Sequence, residues 1–301
     1  MITGLLSALA LLVILLQSGC EAASSEEGGK LTVAVSVLPQ KYFVEKIIGD
    51  SIDIFVVVPP GANPATYEPS PSDMRNMSSA DVWFTIGVPF ESPWLPRFTG
   101  TNPDLRIRST IENIARLPID RYGVTGHGAS SEHHDHGGGS PDPHVWLSPD
   151  LVRSQAAVIA EELSLLDSSG ADGYMANLNS FNTEIDSLQN RIRSLIDSSS
   201  SRSFIVFHPA WGYFADEFGL IQIPIETAGS EPSPREMSLL IDYARENDIR
   251  AVFVSPQFSA SSANTIAAEI GVEVSYIDPL AEDWSTNLCN VAELLSGTAE
   301  P

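Results

Sequence analysis

Basic side chains are scarce in this chain: 16 Lys and Arg stand against 39 Asp and Glu, a formal charge of −23 over 301 residues. A field of that sign repels phosphate, so nucleic acid is excluded as a partner and cations are attracted. Catalytic signatures are missing. There is no His-Glu-x-x-His, no Gly-x-Ser-x-Gly and no phosphate-cradling glycine loop, which argues against an enzyme. No repeat of 20–50 residues is visible either. Only two cysteines are present, Cys20 and Cys289. With Cys20 engaged at the N-terminus, Cys289 is left as a free thiol, packed as a small hydrophobe near a C-terminal helix. What is abundant is apolar surface: 43% hydrophobic and 8% aromatic residues describe a folded globule. At about 100–200 residues per domain, the length suggests two domains.

The first nineteen residues carry no charge, and residues 5–16 form an almost unbroken apolar run ending in Gln17-Ser18-Gly19-Cys20. That run is short of the roughly 20 residues a membrane span needs and has the length of a signal-peptide core. Residues 1–20 therefore read as a signal peptide, with small residues before a cysteine as at a lipoprotein processing site, where Cys20 becomes lipidated. An uncleaved anchor helix is the alternative. Either way the protein lies outside the cytoplasmic membrane, periplasmic or tethered to the outer face through its N-terminus. Residues 21–29, rich in Ala, Ser, Glu and Gly, read as a flexible tether.

Beyond the tether, strand-like and helix-like segments alternate. Residues 31–37, 52–58, 81–87, 203–208, 250–255 and 272–277 are short and rich in β-branched or aromatic residues. Such runs between helices describe parallel sheets buried on both faces. The fold class is therefore α/β, with two lobes: an N-terminal lobe over 30–148 and a C-terminal lobe over 201–301. Linking helices occupy 149–200. The longest, over 172–197, carries Tyr174, Leu178, Phe181, Ile185, Leu188, Ile192 and Leu195 at alternating spacings of four and three, one apolar stripe. Residues 174–197 contain neither Pro nor Gly, so a rigid connector and small, shear-like lobe adjustments are expected. Ser148-Pro149-Asp150 announces a helix start, with a capping serine, a proline at the first helical position and an acid in the first turn.

Histidine is concentrated. His127, His133, His134 and His136 fall in the Gly- and Ser-rich stretch 126–140, whose imidazoles and carboxylates suit a borderline-soft divalent ion such as Zn2+. Ordering such a loop is costly, so it reads as a weak accessory collector. The other two histidines sit elsewhere. His144 lies in Asp142-Pro143-His144-Val145-Trp146-Leu147, just before the helix start, and His208 ends the apolar run 204–207. Asp278 repeats that arrangement after residues 274–277. Groups at the carboxyl ends of parallel strands occupy the edge where α/β proteins place ligands, so His144, His208 and Asp278 are candidates to converge on a metal cleft between the lobes.

Four stretches resemble the metal-binding solute-binding lipoproteins of ABC transporters, those that deliver zinc or manganese. They are Gly61-Ala-Asn-Pro-Ala-Thr-Tyr-Glu-Pro-Ser-Pro-Ser-Asp73, Asp142-Pro-His-Val-Trp-Leu-Ser-Pro149, Phe207-His-Pro-Ala-Trp-Gly-Tyr-Phe214 and Ile277-Asp-Pro-Leu280. They follow the family's order and spacing over residues 31–295. The resemblance implies two α/β lobes joined by a long helix, with the metal held between them and handed to a membrane permease by a monomeric receptor. His208, where manganese-type members carry Glu, and the His-rich loop both resemble the zinc branch. Carried over, the metal ligands are His144, His208 and Asp278. At the first ligand position, where the family reads Pro-His, this chain has Pro64-Ala65, and a methyl group cannot coordinate. A water or a loop imidazole such as His136 would complete the tetrahedral shell, and Glu68 lies nearby in sequence. The implied cargo is Zn2+. A Mn2+ or iron receptor and a metal-buffering or adhesin lipoprotein are the alternatives, and a three-ligand zinc hydrolase is a weaker one.

Overall fold

Two four-stranded sheets, each wholly parallel, carry the molecule. The structure is a computed structural model that describes residues 31–49, 52–120, 140–199, 201–226 and 229–298. Residues 1–30, with Cys20, and residues 121–139, with His127, His133, His134 and His136, lie outside the described residues.

The first sheet is built from β1 (Thr32–Val35), β2 (Asp53–Val56), β3 (Val82–Thr85) and β4 (Arg106–Ser109), in the order β2-β1-β3-β4. Helices α1 (Leu38–Ile48), α2 (Pro71–Met77) and α3 (Glu91–Thr101) make the crossovers. The second sheet repeats the plan, with β5 (Ser203–Val206), β6 (Ile221–Pro224), β7 (Val252–Val254) and β8 (Val274–Tyr276) ordered β6-β5-β7-β8. Its crossovers are α6 (Gly212–Phe218), α7 (Pro234–Glu246) and α8 (Ser261–Ile270). The α/β class with two parallel sheets is thus the observed fold.

Two strands were not expected from apolar runs, β4 and β6. The edge strand β4 reads Arg-Ile-Arg-Ser and is largely exposed, pairing only with β3. The other unforeseen strand, β6, buries a glutamine: the Gln222 amide oxygen accepts from the Trp211 backbone at 2.6 Å. That one polar residue, held by a tertiary hydrogen bond, interrupts an otherwise apolar strand, Ile-Gln-Ile-Pro.

Between the sheets run α4 (Pro149–Leu166) and α5 (Ala171–Asp197). The Ser148 hydroxyl accepts from the Leu151 N–H at 3.2 Å, capping α4 as its sequence signals. The 27 residues of α5 span about 40 Å at 1.5 Å per residue. Its buried face holds Tyr174, Leu178, Phe181, Ile185, Leu188 and Ile192 as the stripe predicts, but the last turn buries Ile196 and leaves Leu195 half-buried. Gln189 is buried on the same face because it bridges two elements, accepting from Arg153 at 2.8 Å and donating to Glu217 at 2.6 Å.

The last helix, α9 (Trp284–Ser296), packs on α5. Its first residue, Trp284, meets Phe43 of α1 edge to face at 5.3 Å and Phe181 of α5 at 6.3 Å. One hydrophobic core therefore runs from the first sheet through α5 to Phe204, Val206 and Phe253 of the second. Ile205, Val252 and Val254, on the opposite face of the second sheet, pack into a smaller core under α7 and α8. Cys289 on α9 is a half-buried free thiol, and burial pushes it above the ordinary thiol range. None of the described helices is long and apolar enough to cross a membrane.

Candidate metal site

Parallel strands end at one edge, and in both sheets the loops leaving that edge line a single cleft. From the first lobe come Asn63, Pro64 and Ala65 after β2, Val88 and Pro89 after β3, and Pro143 and His144 ahead of α4. From the second come His208 after β5, Gln257 and Phe258 after β7, and Pro279 and Leu280 after β8. The cavity holds about 100 Å³, room for an ion and a few waters at roughly 30 Å³ each.

His144 and His208 meet there, their ring centroids 5.2 Å apart. Each is backed by a buried carboxylate. The Asp142 Oδ1 atom lies 2.7 Å from the His144 Nδ1 and accepts the His144 backbone N–H at 2.9 Å. The Glu226 Oε1 lies 2.7 Å from the His208 Nδ1. A carboxylate oxygen only accepts, so the Nδ1 of each ring carries a proton, and whenever the ring is neutral its Nε2 presents a lone pair. That is how carboxylate partners orient metal-ligating imidazoles. Burial holds the His144 imidazole below the ordinary histidine range, against the pull of Asp142. The ring is therefore neutral at physiological pH, as a ligand must be.

Both carboxylates are fixed in turn. Asp142 is held by backbone bonds, its N–H to the Leu117 carbonyl at 2.7 Å and its carbonyl from the Tyr213 hydroxyl at 3.0 Å. Glu226 stands beside His208 because β6 pairing continues past its end, with the Glu226 N–H donating to the Phe207 carbonyl at 3.1 Å. Phe258 stacks on the His208 ring at 4.9 Å. Two indoles tie the floor together: Trp146 donates to the Pro279 carbonyl at 2.7 Å and Trp284 to the Trp146 carbonyl at 2.6 Å. Behind the first lobe's wall, Glu91 accepts from Ser36 at 2.5 Å and from the Ile86 and Gly87 N–H groups at 2.8 Å, fixing the loop that carries Val88 and Pro89.

Asp278 follows β8 at the same edge but is not among the cavity-lining residues. Its Oδ1 accepts from the Gln257 amide at 2.9 Å and from the Leu280 N–H at 2.9 Å. Among the described residues, no three His, Cys, Asp or Glu side chains stand close enough to hold an ion. Ala65 does line the cleft, and Glu68 does not. The sequence reading assigns no supporting role to Asp142, Trp146, Glu226 or Gln257, although Asp142 and Trp146 lie in the stretch that carries the resemblance. Only Asp142 carried a local signal, a carboxylate two residues before a histidine.

The sequence profile of one family, described as zinc-uptake complex component A, periplasmic, matches residues 33–292. The chain belongs to this family. It is accordingly an extracytoplasmic, metal-binding solute-binding protein of the ABC-transporter type and not an enzyme. A relative from Bacillus subtilis (strain 168), the high-affinity zinc uptake system protein ZnuA, is 28% identical over 272 residues, 87% of this chain and 82% of that protein. The manganese-binding lipoprotein MntA of Halalkalibacterium halodurans is 27% identical, covering 88% of this chain and 85% of its own. A crystal structure of ZnuA superposes with a TM-score of 0.80 at 41% identity, over 89% of this chain and 98% of that one.

Proposed function

We propose that this protein captures Zn2+ between its lobes and hands it to a membrane permease, acting as a monomer tethered through a lipidated Cys20. The observation that carries the reading is the pair of carboxylate-backed imidazoles, Asp142-His144 and Glu226-His208, which line one cleft with no hydrogen bond to either Nε2 from any described residue. Two imidazoles favour zinc over manganese, which prefers oxygen donors. Asp278 is the third ligand in this proposal. Its Oδ1 is engaged by Gln257 and Leu280, so Oδ2 would turn to the cation when zinc draws the two lobes' edges together. Residues 126–140, with His127, His133, His134 and His136, act as an accessory collector.

Competitive titration of the purified protein with zinc and manganese against a chromophoric chelator tests the assignment. The expected result is one zinc per chain, preferred over manganese, with at least tenfold weaker binding in His208→Ala and little change when residues 126–140 are deleted. Weak multisite binding that vanishes with that deletion would overturn it.

A further inference from the structure

Zinc sites of this kind fill four positions, and Ala65 stands at the cleft wall with no donor to offer. The second sheet presents its strand-end groups in spatial order: Glu226 after β6, His208 after β5, Gln257 after β7 and Asp278 after β8. Gln257 thus sits between the loops of two proposed ligands. Its amide is oriented. The Nε2 group donates to the Asp278 Oδ1 at 2.9 Å, and a flipped amide would set oxygen against oxygen. Fixed that way, the Gln257 Oε1 is buried at the cleft and accepts no hydrogen bond from any described residue. The other side-chain amide oxygen lining the cleft, that of Asn63, is already spent on the Ala65 N–H at 2.8 Å. Most of the remaining wall is apolar.

An unspent, oriented acceptor in an apolar wall calls for a donor that arrives with the cargo. We propose that Gln257 holds a zinc-bound water in the fourth coordination position, the one Ala65 leaves open, through a hydrogen bond from that water to its Oε1. A neutral amide oxygen is a poor direct ligand for zinc, which takes nitrogen, sulfur or carboxylate oxygen, whereas it is a good acceptor for a polarised water. This rests on the zinc reading above. Gln257 is a positioning residue here, acting on the water and, through Nε2, on Asp278.

A double-mutant cycle separates those two actions. Zinc affinity is measured by chelator competition for the full-length protein, Gln257→Met, Ala65→His and the double variant, with Gln257→Leu in parallel and circular-dichroism melts confirming the fold. Outer-shell partners of a metal typically carry 10–100-fold in affinity. Gln257→Met is expected to weaken zinc about tenfold or more in the natural background, and only about threefold or less beside Ala65→His, where an imidazole has displaced the water. Equal losses in both backgrounds would overturn the proposal and leave Gln257 acting on Asp278 alone. Cobalt substitution supplies a second readout. A pH-dependent change in the visible spectrum, from ionisation of the bound water, is expected in the natural protein and absent in Ala65→His; its absence from both overturns the proposal. Zinc binding that is intact in the natural protein and weakened by His208→Ala keeps the parent reading separate from either result.

Discussion

A histidine becomes a good zinc ligand when a partner holds its far nitrogen, and in the proposed site Asp142 and Glu226 stand in that place beside His144 and His208. Changing either carboxylate to its amide, Asp142→Asn or Glu226→Gln, keeps the shape but lets the ring turn over or lose its proton acceptor. Each substitution is expected to weaken zinc about 10–100-fold without changing stoichiometry, measured by chelator competition. A second residue-scale expectation concerns protons. Burial lowers the folded-state pKa of His144 below the ordinary value of 6.5, so the unfolded chain takes up that proton more readily than the folded one. His144 therefore favours folding above pH 6.5, and the contribution is lost as pH falls through 6.5 toward the lower folded value. In chelator-treated protein, the melting temperature should drop between pH 7.5 and 5.5, and drop less in His144→Gln. An unchanged difference would show that other groups govern that window.

At the scale of elements, α5 decides most. Its apolar face touches α1, α4 and α9, and Phe181 sits at the junction, within 6.2 Å of Phe43 and 6.3 Å of Trp284. Phe181→Ala removes a buried ring from three elements at once, so a loss of about 3–5 kcal/mol is expected from urea unfolding. Stripe spacing in α5 was legible because a surface helix repeats its inward face every 3.6 residues. The end of that stripe was not. Whether Leu195 or Ile196 turns inward depends on what lies beneath the last turn, and Gln189 shows that a polar residue enters the face when Arg153 and Glu217 await it. Strand β4 escaped for the same reason, since a solvent-facing edge carries no apolar signature; β6 is only four residues long and a polar residue interrupts its apolar run.

For the molecule as a whole, the continuity of the core outweighs the division into lobes. A single cluster reaches from Val33 in β1 through α5 to Phe253 in β7, and the Trp146 and Trp284 indoles bond across the cleft floor. Thermal unfolding of the metal-free protein is therefore expected to be one cooperative transition, with calorimetric and van't Hoff enthalpies agreeing. Two separated transitions would mean that the lobes are thermodynamically independent. A charge of −23 adds a field that gathers cations toward the protein at low ionic strength.

Local patterns in the chain were enough for the α/β class, the helix start at Ser148 and the long helix. They also located His144, His208 and Asp278 at element ends, since each of these depends on neighbours a few residues away. Which of those groups meet was decided only by the folded structure. Glu226 reaches His208 across 18 residues because a parallel crossover brings β6 beside β5, and Gln257 lies between His208 and Asp278 because β7 lies between β5 and β8. Strand order is a property of packing and chain crossing, and spacing along the chain does not encode it.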